Sequence, residues 1–310
     1  MYHRVGTKLE KLVDKRRLSA EFWMLLPTIL ILAGLSVYPF IFLVRMTFME
    51  FSLVAQQPSK FVGLTNWSKM LTHEGVRDSW IVTLKYYVVA LTLQLTLGIL
   101  MAVLIDRIKL FREGIIAVII GPVFLAPVLA GLMWRFLLDP SFGIYYYWME
   151  ESGFFSFLEK VGLSDINNIF GSLSLALPAI IMMDAWQWTP LIVLIILAGL
   201  HSIPPQVIEA ASVDGASSWQ QFWLITLPLL KSTILVALLI RMMDIVRFFT
   251  KIYITTRGGP ADATKIISLR IYENAFRFFK LGYASTIGFM LLIMTIVLGL
   301  LFVKISAARE

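Results

Sequence analysis

The 310-residue chain is 58% apolar and 15% charged, with a mean hydropathy of +0.80, a composition that excludes an ordinary soluble domain. It has no cysteine and three histidines, His3, His73 and His201, which excludes disulfides, thiolate metal sites and cysteine nucleophiles and leaves little imidazole chemistry. The net charge of +7 does not imply a nucleic-acid partner, because six of the 27 Lys and Arg fall in the first 17 residues, just ahead of a hydrophobic run, where a basic cluster orients a membrane span.

A helix needs about 20 residues to cross the hydrocarbon layer at about 1.5 Å per residue. Residues 23–44, 86–105, 114–134 and 281–303 are uncharged runs that reach that length, and 173–200 and 232–256 are long enough but contain ionisable residues. The pattern predicts an all-α integral membrane protein of six spans, at approximately 22–48, 80–105, 114–138, 173–200, 229–256 and 281–303, within a transmembrane domain 22–305. Residues 1–21 and 306–310 are then terminal segments. The first apolar run exceeds the roughly 7–15 residues of a signal-peptide core and no small-x-small cleavage site follows it, so it reads as a retained span. Placing the N-terminus inside puts twelve Lys and Arg in the inner segments and nine in the outer ones. Both termini are therefore expected in the cytoplasm. The aromatic stretch "FGIYYYWMEESGFFSFLEKVG" within 139–172 suits a membrane interface.

Enzyme signatures are missing from the sequence. No Gly-Lys dipeptide occurs, which removes the phosphate-cradling loop of an ATP site; His73-Glu74 is followed by Arg77 where a second zinc-binding His would stand; and there is no G-x-S-x-G. The polar residues inside the spans are more informative. A charge at mid-bilayer costs about 2.5–3.5 kcal/mol, so Asp184 in the fourth span and Arg241, Asp244, Arg247 and Lys251 in the fifth need polar surroundings. At about 100° per residue, Arg241, Asp244, Arg247, Phe248 and Lys251 fall within a stripe of about 120°, and Asp184, Gln187, Trp188 and Leu191 share a face of the fourth span. Two readings remain open on residue chemistry: ion pairs that hold the bundle together, or a translocation path. In the second, acids, an amide, an indole and guanidinium groups would suit a neutral polyol, and the arginines would also suit an anion.

Between the fourth and fifth spans lies a segment of different character, "EAASVDGASSWQQFWLITLP" at 209–228. Pro204 and Pro205 suit a first helical turn and Gly215 a left-handed stop. Ser217 and Gln220 have capping-box spacing, and a second short helix is expected to end before Pro228. The resulting helix-turn-helix is too short and polar to span, yet Val207, Ile208, Ala211, Trp219, Phe222 and Trp223 offer apolar contacts to a surface or a partner's groove.

Glu209-Ala210-Ala211, Gly215 six residues after the Glu, and Ile225-x-Leu227-Pro228 together resemble the EAA loop of ABC importer membrane subunits, the element that docks on the cytoplasmic ATPase. "FVGLTNW", "GGP" at 258–260 and "YENAF" at 272–276 are similar to the carbohydrate-importer branch of that family, maltose-type permease subunits. The resemblance implies a multi-pass subunit of a prokaryotic inner or plasma membrane. Its partners would be a second homologous permease, an ATP-binding subunit dimer that carries ATP and Mg, and an extracytoplasmic sugar-binding protein. This chain would form half of the pore and bind neither cofactor nor nucleic acid.

The resemblance also implies ATPase coupling through Glu209, Ala210, Ala211, Asp214 and Gly215. Sugar contacts would fall at Asp184, Gln187, Trp188, Leu191, Arg241, Asp244, Ile245 and Phe248. Thr250 and Arg257 depart from the branch's usual Asp and Gly. Glycerol phosphate or another polyol is the competing substrate, and an ion-coupled carrier or an enzyme acting on a lipid-linked sugar the competing class.

Overall fold

A computed structural model describes residues 3–52, 54, 59–108, 110–163, 168–246 and 248–307, with side chains described between 22 and 304. Arg247, the side chains of the basic N-terminal cluster and residues 308–310 of the tail lie outside the described residues.

Helix α1, His3–Thr47, is followed by a small antiparallel pair, β1 Met49–Glu50 and β2 Lys60–Phe61, and by α2, Thr65–Thr72. Helix α3, Glu74–Arg107, forms one unbroken rod. Then come α4, Arg112–Ile120, a 3-10 turn at Gly121–Phe124, α5, Pro127–Leu137, and two short helices, α6 Ile144–Glu151 and α7 Phe154–Lys160. Helix α8 spans Ala176–Ser202, and α9 and α10 cover Pro205–Val213 and Ser218–Gln221. A π turn, Phe222–Thr226, leads into α11, Leu227–Leu229, α12, Lys231–Ile245, and α13, Thr250–Thr255. The chain closes with α14, Ile267–Tyr272, a π turn at Glu273–Arg277 and α15, Leu281–Ala307.

Among the described residues, four helices are long and apolar enough to cross uninterrupted: Phe22–Thr47 within α1, then α3, α8 and the Leu281–Lys304 part of α15. In α8, 67% of the most apolar stretch is buried, against 0% in α1, so α8 is central and α1 peripheral. Helix α3 packs tightly against α8 at Gly98, where a Cβ would lie 2.5 Å from Ile192 Cγ2. That approach is open only to glycine.

The other two expected spans are bent, giving six crossings when each bent pair is taken as one. The 114–138 run is not a straight helix. It turns by 99° between Phe124 and Pro127, because Pro127 holds the preceding Ala126 in extended geometry (φ −59°, ψ 137°) and supplies no N–H. The carbonyl of Leu125 freed by this break accepts a 2.7 Å bond from Gln187 Nε2 of α8, as a backbone group away from water requires.

The fifth crossing corrects the sequence expectation twice. The second short helix does not stop before Pro228. It widens into the π turn, with Leu227 N–H on Phe222 O, passes through Pro228 and bends by 63° into α12. The expected continuous helix to 256 is then interrupted after Ile245, with Phe249 at φ −147° and ψ −47°. Ser268 Oγ donates to the part-buried Val246 carbonyl at 3.2 Å.

The loops before α3, before α8 and after α13 gather at one end of the bundle. There Asn66 Nδ2 donates to Thr47 O and Met49 O, and Arg270 Nε donates to Ser79 Oγ at 2.7 Å. At the other end the α9–α10 hairpin projects, and Arg112 joins Asp106 at 3.0 Å and His201 at 2.6 Å, tying the ends of α3, α4 and α8.

Candidate functional site

Asp184 sits in the middle of α8 and gathers three partners. Its Oδ2 accepts from Gln94 Nε2 of α3 at 2.8 Å and from Arg241 Nη2 of α12 at 2.5 Å. Its Oδ1 accepts from Lys251 Nζ of α13 at 2.8 Å. Arg241 Nε closes the ring on Gln94 Oε1 at 2.6 Å, and Arg241 Nη1 bonds Asp244. Asp184, Gln94, Arg241 and Lys251 are each at most 2% exposed, and the partly exposed Asp244 supplies the second negative charge that balances the two cations. Two carboxylates face one guanidinium and one ammonium, and the cluster is formally neutral. Such pairing is the condition under which buried charge is tolerated.

The break in the fifth crossing has its reason here. Along a straight helix Arg241 and Lys251 would stand about 15 Å apart, yet both bond one carboxylate. Interrupting the helix at 246–249 lets α12 and α13 each turn a cation towards Asp184.

The residues singled out in the sequence occupy two kinds of position. Asp184, Gln187, Arg241 and Ile245 are buried. Trp188, Leu191, Asp244 and Phe248 are partly exposed. Trp188 lies under the Arg241 guanidinium, with Cζ 5.2 Å from the ring centre, and Phe248 lies 5.5 Å from Lys251 Nζ while stacking on Tyr86 at 4.5 Å. Gln187 bonds Leu125 in the break before α5, not the cluster. Sequence reasoning placed Lys251 in the polar stripe without giving it a site role, and it missed Gln94 and Tyr86. Gln94 did leave a signal: a primary amide inside an uncharged run carries its own burial cost.

The hairpin is built by local rules. After α9, Gly215 takes φ +82°, Gly215 N–H bonds Ser212 O and Ala216 N–H bonds Ala211 O, the two bonds of a Schellman cap. Ser217 and Gln220 form the reciprocal capping box of α10. Gln221 Nε2 bridges back to Ser212 Oγ and Ala216 O at 3.0 and 2.9 Å, fixing the angle between the arms. Ala211 is buried in the turn, and Glu209, Ala210, Asp214 and Gly215 are exposed. Beside them Val213 is 88% and Trp219 70% exposed, so the apolar surface of the tip finds no cover within the described residues. No three of the described His, Asp and Glu side chains stand close enough together to hold a metal ion.

Comparison with known proteins gives a consistent result. Residues 21–308 match the family model described as binding-protein-dependent transport system inner membrane component. The chain is 31% identical over 262 residues to the trehalose/maltose transport system permease protein MalF of Thermococcus litoralis, covering 84% of each. It is 30% identical over 256 residues to the sn-glycerol-3-phosphate transport system permease protein UgpA of Rhizobium meliloti, covering 80% of this chain and 82% of the relative. Among solved structures, a bacterial ABC transporter involved in the import of the acidic polysaccharide alginate superposes with a TM-score of 0.79 at 25% identity, over 96% of this chain and 99% of that one.

Proposed function

The chain belongs to the family of binding-protein-dependent transport system inner membrane components, and from that premise we propose that it forms one half of the pore of an ATP-driven sugar importer and receives the ATPase stroke through its α9–α10 hairpin. The observation that carries this reading is the hairpin itself, a capped element whose acidic and apolar tip has no cover among the described residues. A short amphipathic helix of this kind suits a groove on another protein. ATP closure of a partner can drive transport only if it favours one pore conformation. The short connections on both sides of the hairpin, into α8 and through the π turn and α11 into α12, support that link.

In this reading both termini and the hairpin are cytoplasmic, and the pore is completed by a second permease subunit. ATP and Mg reside on an ATP-binding subunit dimer, and an external binding protein delivers the solute at the opposite end. Trp188, Leu191, Asp244 and Phe248 meet the solute, and Asp184, Gln187, Arg241 and Ile245 hold them in place from behind. A neutral sugar is favoured over glycerol phosphate because, among the described residues of the stripe, Arg241 and Lys251 already face Asp184.

Glu209→Lys tests the assignment. The variant subunit is expected to reach the membrane at normal level, while recovery of the ATP-binding subunits on purification and sugar uptake both fall at least about tenfold, equivalent to the loss of about 1.4 kcal/mol of docking energy. Normal recovery together with normal uptake would remove the hairpin from the coupling role.

A further inference from the structure

We propose that the loop end of the bundle carries a second, separate solute site: a cavity that takes one neutral pyranose unit before it reaches the polar cluster. The proposal rests on the importer reading above, with the loop end facing outward.

The cavity has a volume of about 300 Å³ and lies between the end of α5, the turn before α8 and the segment after α13. That is the small end of the range of about 300–1,000 Å³ found for ligand sites, room for a single ring and not for a chain of them. Its wall combines Arg135, Asp139, Asn168 and Thr256 with the flat apolar faces of Phe170 and Pro260. Arg135 is anchored by Nη1 on Ile254 O at 3.1 Å, which leaves guanidinium N–H groups for a ligand. Asp139 and Asn168 use one oxygen each on Ser141 N and Gly171 N, and the Asn168 amide keeps its donors. One cation and one anion in the same wall oppose each other's field, so the site favours neither an anion nor a cation. Donors, acceptors and an aromatic face together match a ring whose hydroxyls do both and whose C–H faces are apolar.

The cavity is also coupled to the cluster. Thr255 lines it, and the Thr255 hydroxyl donates to Lys251 O at 2.7 Å. Lys251 in turn holds Asp184. One turn of α13 therefore separates the cavity from the cluster, about 6 Å along the helix. Because α13 is the detached half of a broken span, a ligand seated here bears on the same short segment that the Asp184 carboxylate anchors.

The chain lacks cysteine, so one introduced thiol is its only maleimide target. In the assembled transporter in nanodiscs, Asn168→Cys, and Pro140→Cys as a second variant on the same wall, are labelled with a charged maleimide in the presence of glucose, galactose or sn-glycerol 3-phosphate. A neutral sugar at about four times its Kd leaves a fifth of sites free, and labelling is expected to slow about fivefold, with the phosphate ester giving no slowing. Unchanged rates at both positions with either sugar, or equal protection by the phosphate ester, would overturn the proposal. Sidedness separates the two readings. In right-side-out vesicles Asn168→Cys should label directly and Val213→Cys only after permeabilisation. The reverse would sink the importer reading, whereas correct sidedness without protection would sink this site alone.

Discussion

The polar cluster around Asp184 and the α9–α10 hairpin are the two places where this apolar chain departs from its own composition, and they do so in opposite ways. In the cluster, charged groups are withdrawn from solvent and lipid alike and bond one another across α3, α8, α12 and α13. In the hairpin, apolar and acidic groups are left uncovered while the backbone is tightly capped. A cluster that completes itself fixes the shape of the subunit. An element that is complete in its backbone and incomplete at its surface is made for something outside the subunit. On the proposed reading, the contrast separates what holds the permease together from what connects it to its ATPase.

Substitutions at the two regions should therefore fail differently. The largest effect is expected for Asp184→Ala, which strands Arg241 and Lys251 in a buried setting. Removing one member of such a set costs about 3–5 kcal/mol, read as a lower unfolding temperature of the purified assembly and less subunit in the membrane. Replacing Asp184, Gln94, Arg241 and Lys251 together by Leu, Leu, Met and Met should recover most of that stability, since apolar side chains of similar volume often serve as well. Failure to recover would mean that the cluster does more than fix shape.

Gly215→Val comes next. A side chain at φ +82° meets no neighbouring atom within 4 Å, so its cost is conformational, about 1–2 kcal/mol. It should appear as reduced uptake with the bundle's unfolding temperature unchanged. Ser217→Ala removes the capping box and costs about 1 kcal/mol, visible as faster amide exchange in residues 218–221 and little else. Glu209→Lys marks the small end for stability, within about 0.5 kcal/mol for an exposed site, although its effect on ATPase recovery is large. A drop in bundle stability from any hairpin variant would blur the distinction.

The two regions also differ in how far the sequence disclosed them. The hairpin rests on contacts between near neighbours: Pro205 at the start, Gly215 at the stop, Ser217 with Gln220 at the restart. Its turn was legible residue by residue, and only its end was misjudged, because a π turn carries the helix through Pro228. The uninterrupted spans were legible from length alone. The breaks were not equally so. Pro127 stands in plain view, but an uncharged run gives no sign that its proline turns the chain by 99°. The break after Ile245 has no proline or glycine near it. It follows from two cations ten residues apart reaching one carboxylate on another helix, a long-range demand that periodicity does not carry. Gln94 escaped for the same reason, since its partners lie 90 and 147 residues away.

The central claim, that the hairpin seats in an ATP-binding subunit, is tested most directly by a photo-crosslinking residue at Val213, the most exposed apolar position of the tip. Irradiation of the assembled transporter should join this chain to the ATP-binding subunit, with a yield that changes when ATP is added. Crosslinks to the external binding protein or to lipid alone, with the complex intact, would contradict the account.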